Sequence, residues 1–159
     1  LTMKWTTPMN FPVEMDYRYD VPFKVKTTIA GSLVYTTYRR EINKKNSRKY
    51  SSSISPNIVH SLDAAIVQGV ALYCKNADEP ISNLLMVHDS FATTPNRIDQ
   101  LNKIIRKVVI DLFSEDYLEI LYKDWEAQLP EPYKSRLTSP PERGNLDINE
   151  IANSSYFFS

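Results

Sequence analysis

Over the first 30 residues, apolar and β-branched positions alternate irregularly with polar ones. Trp5, Thr6, Thr7, Phe11, Val13, Tyr17, Tyr19 and Phe23 are punctuated by Pro8, Pro12 and Pro22, a mixture that predicts short extended segments rather than helix. Apolar and threonine residues continue from Ile29 to Tyr38. Arg39, Arg40, Lys44, Lys45, Arg48 and Lys49 then arrive among Asn and Ser, and the run closes on Tyr50-Ser51-Ser52-Ser53. That polar composition predicts a basic loop.

From Ser55-Pro56-Asn57 the period changes. Val59, Leu62, Ile66, Val70 and Tyr73 recur at intervals of three and four, predicting an amphipathic helix that ends near Cys74 to Asn76. Its other side carries Asn57, His60 or Ser61, Ala64 and Gln68, a polar stripe with one small residue. Asp78-Glu79-Pro80 breaks the chain. Leu84-Leu85-Met86-Val87 is too short for a helix between such flanks and predicts a buried strand; because Phe91-Ala92-Thr93-Thr94 resumes the pattern, His88-Asp89-Ser90 falls on or beside the turn of a β-hairpin. Thr94-Pro95-Asn96 starts a long helix with a core stripe of Ile98, Leu101, Ile105, Val108 or Val109, and Leu112, supported by an Asp99 to Lys103 pair. A helix over residues 117–128 is expected to bury Leu118, Leu121, Tyr122 and Trp125 and to stop at Pro130 and Pro132. Residues 130–145 read as a loop, and Asn145-Leu146-Asp147 caps a last short helix. The fold class is α+β and mainly helical, organised as residues 1–50, 51–129 and 130–159.

With 159 residues, 42% hydrophobic and 24% charged, the chain matches one ordinary globular domain and excludes a disordered tail or a fibrous repeat. A net charge of zero argues against a nucleic-acid binder held by bulk charge, but the average hides a split. Residues 1–49 hold ten Lys/Arg and four Asp/Glu, whereas residues 50–159 hold nine and fifteen, so one half could face phosphates. The single cysteine, Cys74, excludes an intrachain disulfide and fits a reducing compartment. No apolar run is long enough to span a membrane, and no signal-peptide series is present. Leu1 is not an initiator methionine, so the chain is expected to be a piece of something longer.

Both histidines stand beside a carboxylate. His60 and Asp63 are one helical turn apart; His88 and Asp89 are adjacent at a strand end. A carboxylate following Leu-Leu-Met-Val is costly to bury unless it is paired or ligates a cation, and a turn projecting one carboxylate is half of a magnesium site. The bland alternatives are a helix histidine satisfied by Asp63, an ordinary turn aspartate and a solvated basic loop. A serine-hydrolase reading of His88, Asp89 and Ser90 fails, because a triad converges from separated positions and no glycine-flanked elbow surrounds Ser90.

Four segments taken together carry a resemblance. Pro56-Asn57-Ile58-Val59-His60-Ser61-Leu62-Asp63-Ala64 and Val87-His88-Asp89-Ser90-Phe91 lie between Trp5-Thr6-Thr7-Pro8 with Phe11-Pro12-Val13 and the closing Arg143-Gly144-Asn145-Leu146-Asp147 with Tyr156-Phe157-Phe158-Ser159. In order and spacing they resemble the C-terminal part of single-subunit, phage-type DNA-directed RNA polymerases, with an ending most like the mitochondrial members. One departure is Asn10, where the family usually has glycine. The resemblance implies a right-hand polymerase fold, with fingers-side segments over 1–50 and a palm hairpin that carries a catalytic, metal-ligating Asp89. It further implies two Mg2+ ions in the complete enzyme, with a second catalytic aspartate and a lysine and tyrosine helix supplied from upstream, so that the fragment alone is inactive. Asn57, His60, His88 and Ser90 would then meet nucleic acid near the nascent pair, and Arg39, Arg40, Lys44 and Lys45 would meet its backbone. The implied partners are a DNA template, nascent RNA, ribonucleoside triphosphates, the rest of the polymerase polypeptide and transcription factors, with no membrane. The implied location is mitochondrial, or else the cytoplasm of a phage-infected bacterium. A related template-dependent DNA polymerase, whose turn reads His-Asp-Glu, and a non-catalytic module from a decayed polymerase are the alternatives.

Overall fold

The computed structural model describes residues 2–157. The elements are β1 (Met3–Thr6), β2 (Pro12–Met15), β3 (Arg18–Ile29), β4 (Ser32–Lys45), α1 (Ser47–Asn76), β5 (Leu85–Val87), β6 (Ser90–Ala92), α2 (Ile98–Phe113), α3 (Tyr117–Gln128) and a one-turn α4 (Glu131–Lys134). Short 3-10 turns cover Pro95–Arg97 and Ile148–Ala152. The strands form three two-stranded sheets, β1 with β2, β3 with β4 and β5 with β6, which makes the chain α+β as expected. It divides into two compact units, one of Leu1–Met3 with Glu14–Asn57 and one of Lys4–Val13 with Ile58–Ser159.

The first unit is built on the antiparallel β3–β4 hairpin, which runs in register from Asp20↔Glu41 to Ile29↔Ser32. It closes on Ala30 and Gly31, both at positive φ (50° and 80°), the backbone that two-residue hairpin turns demand and that glycine adopts freely. The stretch expected to be a basic loop is instead strand as far as Lys45 and helix from Ser47. The cations that suggested solvation have partners here. Arg39 Nη1 donates to Asp20 Oδ2 at 3.0 Å, Arg40 lies 5.8 Å from the Phe23 ring centroid, and Lys44 lies 5.5 Å from that of Tyr19. Asn46 Oδ1 accepts from Lys49 N at 3.1 Å, capping α1 eight residues before the expected start. Pro56 therefore sits inside the helix, where its missing N–H leaves the Ser52 carbonyl without a helical donor. Asp16 gathers Lys45, Arg18 at 3.0 Å and the Tyr50 hydroxyl at 3.3 Å. The Lys45 hydrogen bond, followed by that of Arg18, lowers its pKa to about 2.

In the second unit the buried face of α1 is Ser61, Ala65, Gly69, Val70 and Cys74; of the expected stripe Val70 is fully buried and Ile66 and Tyr73 pack against the core, whereas Val59 is 52% exposed. The reason is close packing. A Cβ on Gly69 would stand 2.7 Å from Val108 Cγ1 of α2, so the two helices meet across the smallest side chains. From α2 come Leu101, Ile105, Val108 and Val109. Trp5 is buried against this face and donates Nε1–H to Ser61 Oγ at 3.0 Å. Helix α3 has its expected span, capped by Asp116, which accepts from Glu119 N at 3.2 Å. It buries Tyr117 and Leu121 and leaves Leu118 half exposed. Tyr117 donates to the Thr6 carbonyl at 2.8 Å, and burial pushes its phenol up to about 12.

Other expectations also change. β5 is a strand but not a buried one, because a two-stranded ribbon gives only one face to the core: Met86 turns inward while Leu85 and Val87 remain exposed. Ile98 is exposed as well. The i,i+4 pair of α2 is Lys107 with Asp111 at 3.8 Å, and Asp99 makes no ion pair with Lys103. The aromatic ending is split, with Phe157 packed on the core and Tyr156 exposed; Phe158 and Ser159 lie outside the described residues.

Two predictions follow from this packing. Gly69→Ala should lower unfolding stability by about 1–3 kcal/mol, because overpacking must push α1 from α2; a urea titration of both forms measures it. For Asp16 the carboxyl pKa is depressed on folding, so its contribution is present above its ordinary pKa of 3.8 and is lost as pH falls towards about 2. Asp16→Asn should therefore lower stability at pH 7, and the gap between variant and parent should close across that acid window in parallel denaturation curves.

Candidate active site

Residues 85–92 fold into a tight hairpin because the sequence leaves two turn residues between two short apolar runs. The register Leu85↔Ala92, Met86↔Phe91 and Val87↔Ser90 places His88 and Asp89 alone at the tip. His88 has φ 53°, a positive φ of the kind that primed hairpin turns require at their first central residue. The expected turn is thus present, with Ser90 on the strand rather than in the turn.

Helix α1 supplies the facing wall. His60, Asp63, Ala64, Val67 and Gln68, spaced at three, four, seven and eight, line an open cleft of about 760 Å³ together with His88 and Asp89. This wall lies on the side of α1 away from the Gly69 contact, so burying the small stripe is what presents it. His60 and Asp63 form neither a hydrogen bond nor an ion pair with one another, and Asp89 has no hydrogen-bond or ion-pair partner among the described residues. The satisfied-histidine alternative therefore does not hold. Ala64 is exposed and keeps the wall low near its centre.

The other candidate residues lie elsewhere. Asn57 Nδ2 donates to Tyr17 Oη at 2.9 Å and lies 3.2 Å from Met15 Sδ. Arg39, Arg40, Lys44 and Lys45 belong to β4 in the first unit, where Lys45 bonds Asp16 and reaches Thr2 Oγ1 at 3.0 Å. A larger groove of about 1020 Å³ runs between the end of α1 and α2, but Arg97 and Glu79, which line it, pair with each other. The cleft at His60 and Asp89 is the one that brings both histidines and their neighbouring carboxylates together.

Magnesium prefers carboxylate oxygens, and Asp89 offers one carboxylate at an exposed turn. Among the described residues no three His, Cys, Asp or Glu side chains are grouped to hold a metal ion. The donor type fits magnesium, and the chain brings one ligand of such a site.

A family model described as DNA-dependent RNA polymerase matches residues 1–139. The chain belongs to the phage-type DNA-directed RNA polymerases. It is 34% identical over 157 residues to DNA-directed RNA polymerase 1A of Nicotiana tabacum, a match covering 99% of this chain and 95% of that protein. It is 34% identical to the mitochondrial DNA-directed RNA polymerase 1 of Nicotiana sylvestris and 33% identical to that of Arabidopsis thaliana, and in each case spans only 15% of the relative's length. Other relatives are named chloroplastic/mitochondrial. No helix among the described residues is long and apolar enough to cross a membrane.

For this family member the departure at Asn10 has a local explanation. Its φ is 58°, and asparagine tolerates the left-handed region better than most residues. The turn is held by Asn10 N to Thr7 O at 2.8 Å and Phe11 N to Thr7 Oγ1 at 3.1 Å. Val67 was missed as a wall residue, although its spacing of seven from His60 was available in the sequence.

The backbone at the tip gives a test independent of activity. His88→Val places a β-branched residue at positive φ and should cost about 1–2 kcal/mol, whereas His88→Gly should melt at or slightly above the parent temperature. Equal melting of all three by calorimetry would contradict the turn geometry.

Proposed function

We propose that this chain supplies the part of a DNA-directed RNA polymerase active site that carries Asp89, for template-directed ribonucleotide transfer. The observation that carries the reading is the cleft in which His60 of α1 faces the His88–Asp89 turn, both without hydrogen-bond or ion-pair partners among the described residues. Asp89 is the residue that would hold magnesium, with further carboxylates coming from sequence outside this chain. Bound magnesium would supply charge neutralisation on the incoming triphosphate and lower the cost of ionising the RNA 3′ hydroxyl. His88 and Ser90 set the direction of the turn. His60, on a helix whose wall is lowered at Ala64, is suited to meeting the edge of the newest base pair, where hydrogen bonds test pair geometry. In the first unit, Asn57 offers a side-chain amide and Arg39, Arg40, Lys44 and Lys45 offer cations to nucleic acid. The substrates are a DNA template, nascent RNA and ribonucleoside triphosphates; the relatives' names favour a mitochondrial setting.

A decayed, non-catalytic module would not need an open carboxylate at the tip, and the partner-free Asp89 favours catalysis over that reading. In the complete polymerase, Asp89→Asn should abolish nucleotide addition while template binding stays near normal. His60→Ala should raise misincorporation or lower processivity more than it lowers the single-nucleotide rate. The 159 residues alone should not extend a primed template. Primer-extension kinetics with matched and mismatched nucleotides check all three, and full elongation by Asp89→Asn would overturn the assignment.

A further inference from the structure

The register of the β3–β4 hairpin sorts its side chains into two unlike faces, because alternate residues of a strand point to opposite sides. Along the regular stretch from Asp20↔Glu41 to Ile29↔Ser32, Val21, Phe23, Val25, Val34, Tyr38 and Arg40 share one side. No Asp or Glu stands on that side. Asp20, Lys24, Lys26, Arg39 and Glu41 share the other. The apolar side has no second layer, since β3 and β4 pair only with each other and Phe23 and Tyr38 remain 43% and 53% exposed. A ribbon of two strands is marginally stable in water, and among the described residues of the first unit Met15 is the only buried hydrophobic side chain. An apolar face on a unit with so little core of its own is a surface made to be covered.

The chemistry of this face selects its occupant. Bases would need free ring faces to stack on, but the Arg40 guanidinium lies 5.8 Å from the Phe23 ring centroid and Tyr38 is tilted against the same ring at 6.1 Å. The valines beside them have no polar group for a base edge. A second copy of this face would bring two Arg40 cations and no carboxylate to one interface, which is costly. What fits is an apolar protein surface that places a carboxylate at Arg40, whose charge meets no ion-pair partner among the described residues. The longer relatives contain sequence that could provide it, since the match covers 99% of this chain but only 15% of the Nicotiana sylvestris polymerase.

We propose that the face of the hairpin holding Val25 and Tyr38 is a docking surface for an apolar, carboxylate-bearing segment of polymerase polypeptide that lies outside these 159 residues. Arg40 then serves this contact rather than a nucleic-acid backbone, for which Arg39, Lys44 and Lys45 remain. The proposal rests on membership of the family and not on the catalytic reading of Asp89, whose failure would leave it standing. The test uses the complete polymerase with photoreactive benzoylphenylalanine in place of Tyr38 or, on the opposite face, of Thr37. Each protein is irradiated alone, with added template, and with an isotopically labelled second copy, and the captured partner is mapped by mass spectrometry. The probe at Tyr38 should capture a peptide from outside these residues that carries Asp or Glu, with and without template, and the probe at Thr37 should not capture it. Hydrogen exchange gives a second readout. Val25→Ser should speed exchange over residues 20–41 by about 10-fold or more, the scale of losing one covered valine side chain, whereas Thr37→Ser should leave it at the parental rate. Capture of nucleic acid, of the labelled copy or of residues within this chain would overturn the proposal, as would no capture at all or parental exchange in Val25→Ser. If Val25→Ser fails to fold, the probe at Tyr38, which keeps an aromatic ring there, decides the matter.

Discussion

The contact between α1 and α2 at Gly69 governs the second unit. With a Cβ position only 2.7 Å from Val108 Cγ1, the helices can meet only across small side chains, and Ser61, Ala65 and Gly69 provide them along one edge of α1. Once that edge is buried, the rotation of the helix is set. Ser61 then faces inward beside Trp5, whose indole N–H it satisfies, and burying a tryptophan without such an acceptor would cost about 1–3 kcal/mol. The segment before β2 is thereby drawn into the core, with Tyr117 bonded to Thr6 and Trp125 to Lys4.

The same rotation creates the cleft. Turning the small stripe towards α2 turns His60, Asp63, Ala64, Val67 and Gln68 towards the hairpin tip. Several ionisable side chains are used internally: Asp16 by Lys45 and Arg18, Asp20 by Arg39, Glu79 by Arg97. At the tip they are not. An open carboxylate beside open imidazoles, on a turn that holds a histidine at positive φ, is an arrangement that folding does not require, and it is where a functional demand is expected to appear.

The hairpin is also the least self-sufficient element of this unit. Its outer residues Leu85 and Val87 are exposed and only Met86 and Phe91 anchor it. Support has to come from outside the ribbon, from the buried cluster against which Phe157 also packs. Distant parts of the chain thus share one cluster of apolar side chains.

Much of this was legible in the sequence. The α+β class, the hairpin turn at His88–Asp89, the span of α3 and the cap at Asp147 depend on local chemistry, on turn residues, proline stops and side-chain acceptors that act within a few positions. The family followed from ordered motifs. The small-residue edge of α1 was not legible, since hydropathy puts Val59 inside with Ile66 and Val70, whereas a close helix crossing selects Ser61, Ala65 and Gly69 by size, and size matters only when the partner helix is present. Nor was β4, where Arg39 to Lys45 read as a solvated run until β3 supplied hydrogen bonds, Asp20 and aromatic rings for the cations, and Asp16 before it took Lys45. The sequence determined which residues could carry the chemistry. Only the tertiary structure decided that His60 and Asp89 share one cleft, because that depends on how α1 is rotated against α2, a non-local packing choice that no window of neighbouring residues contains.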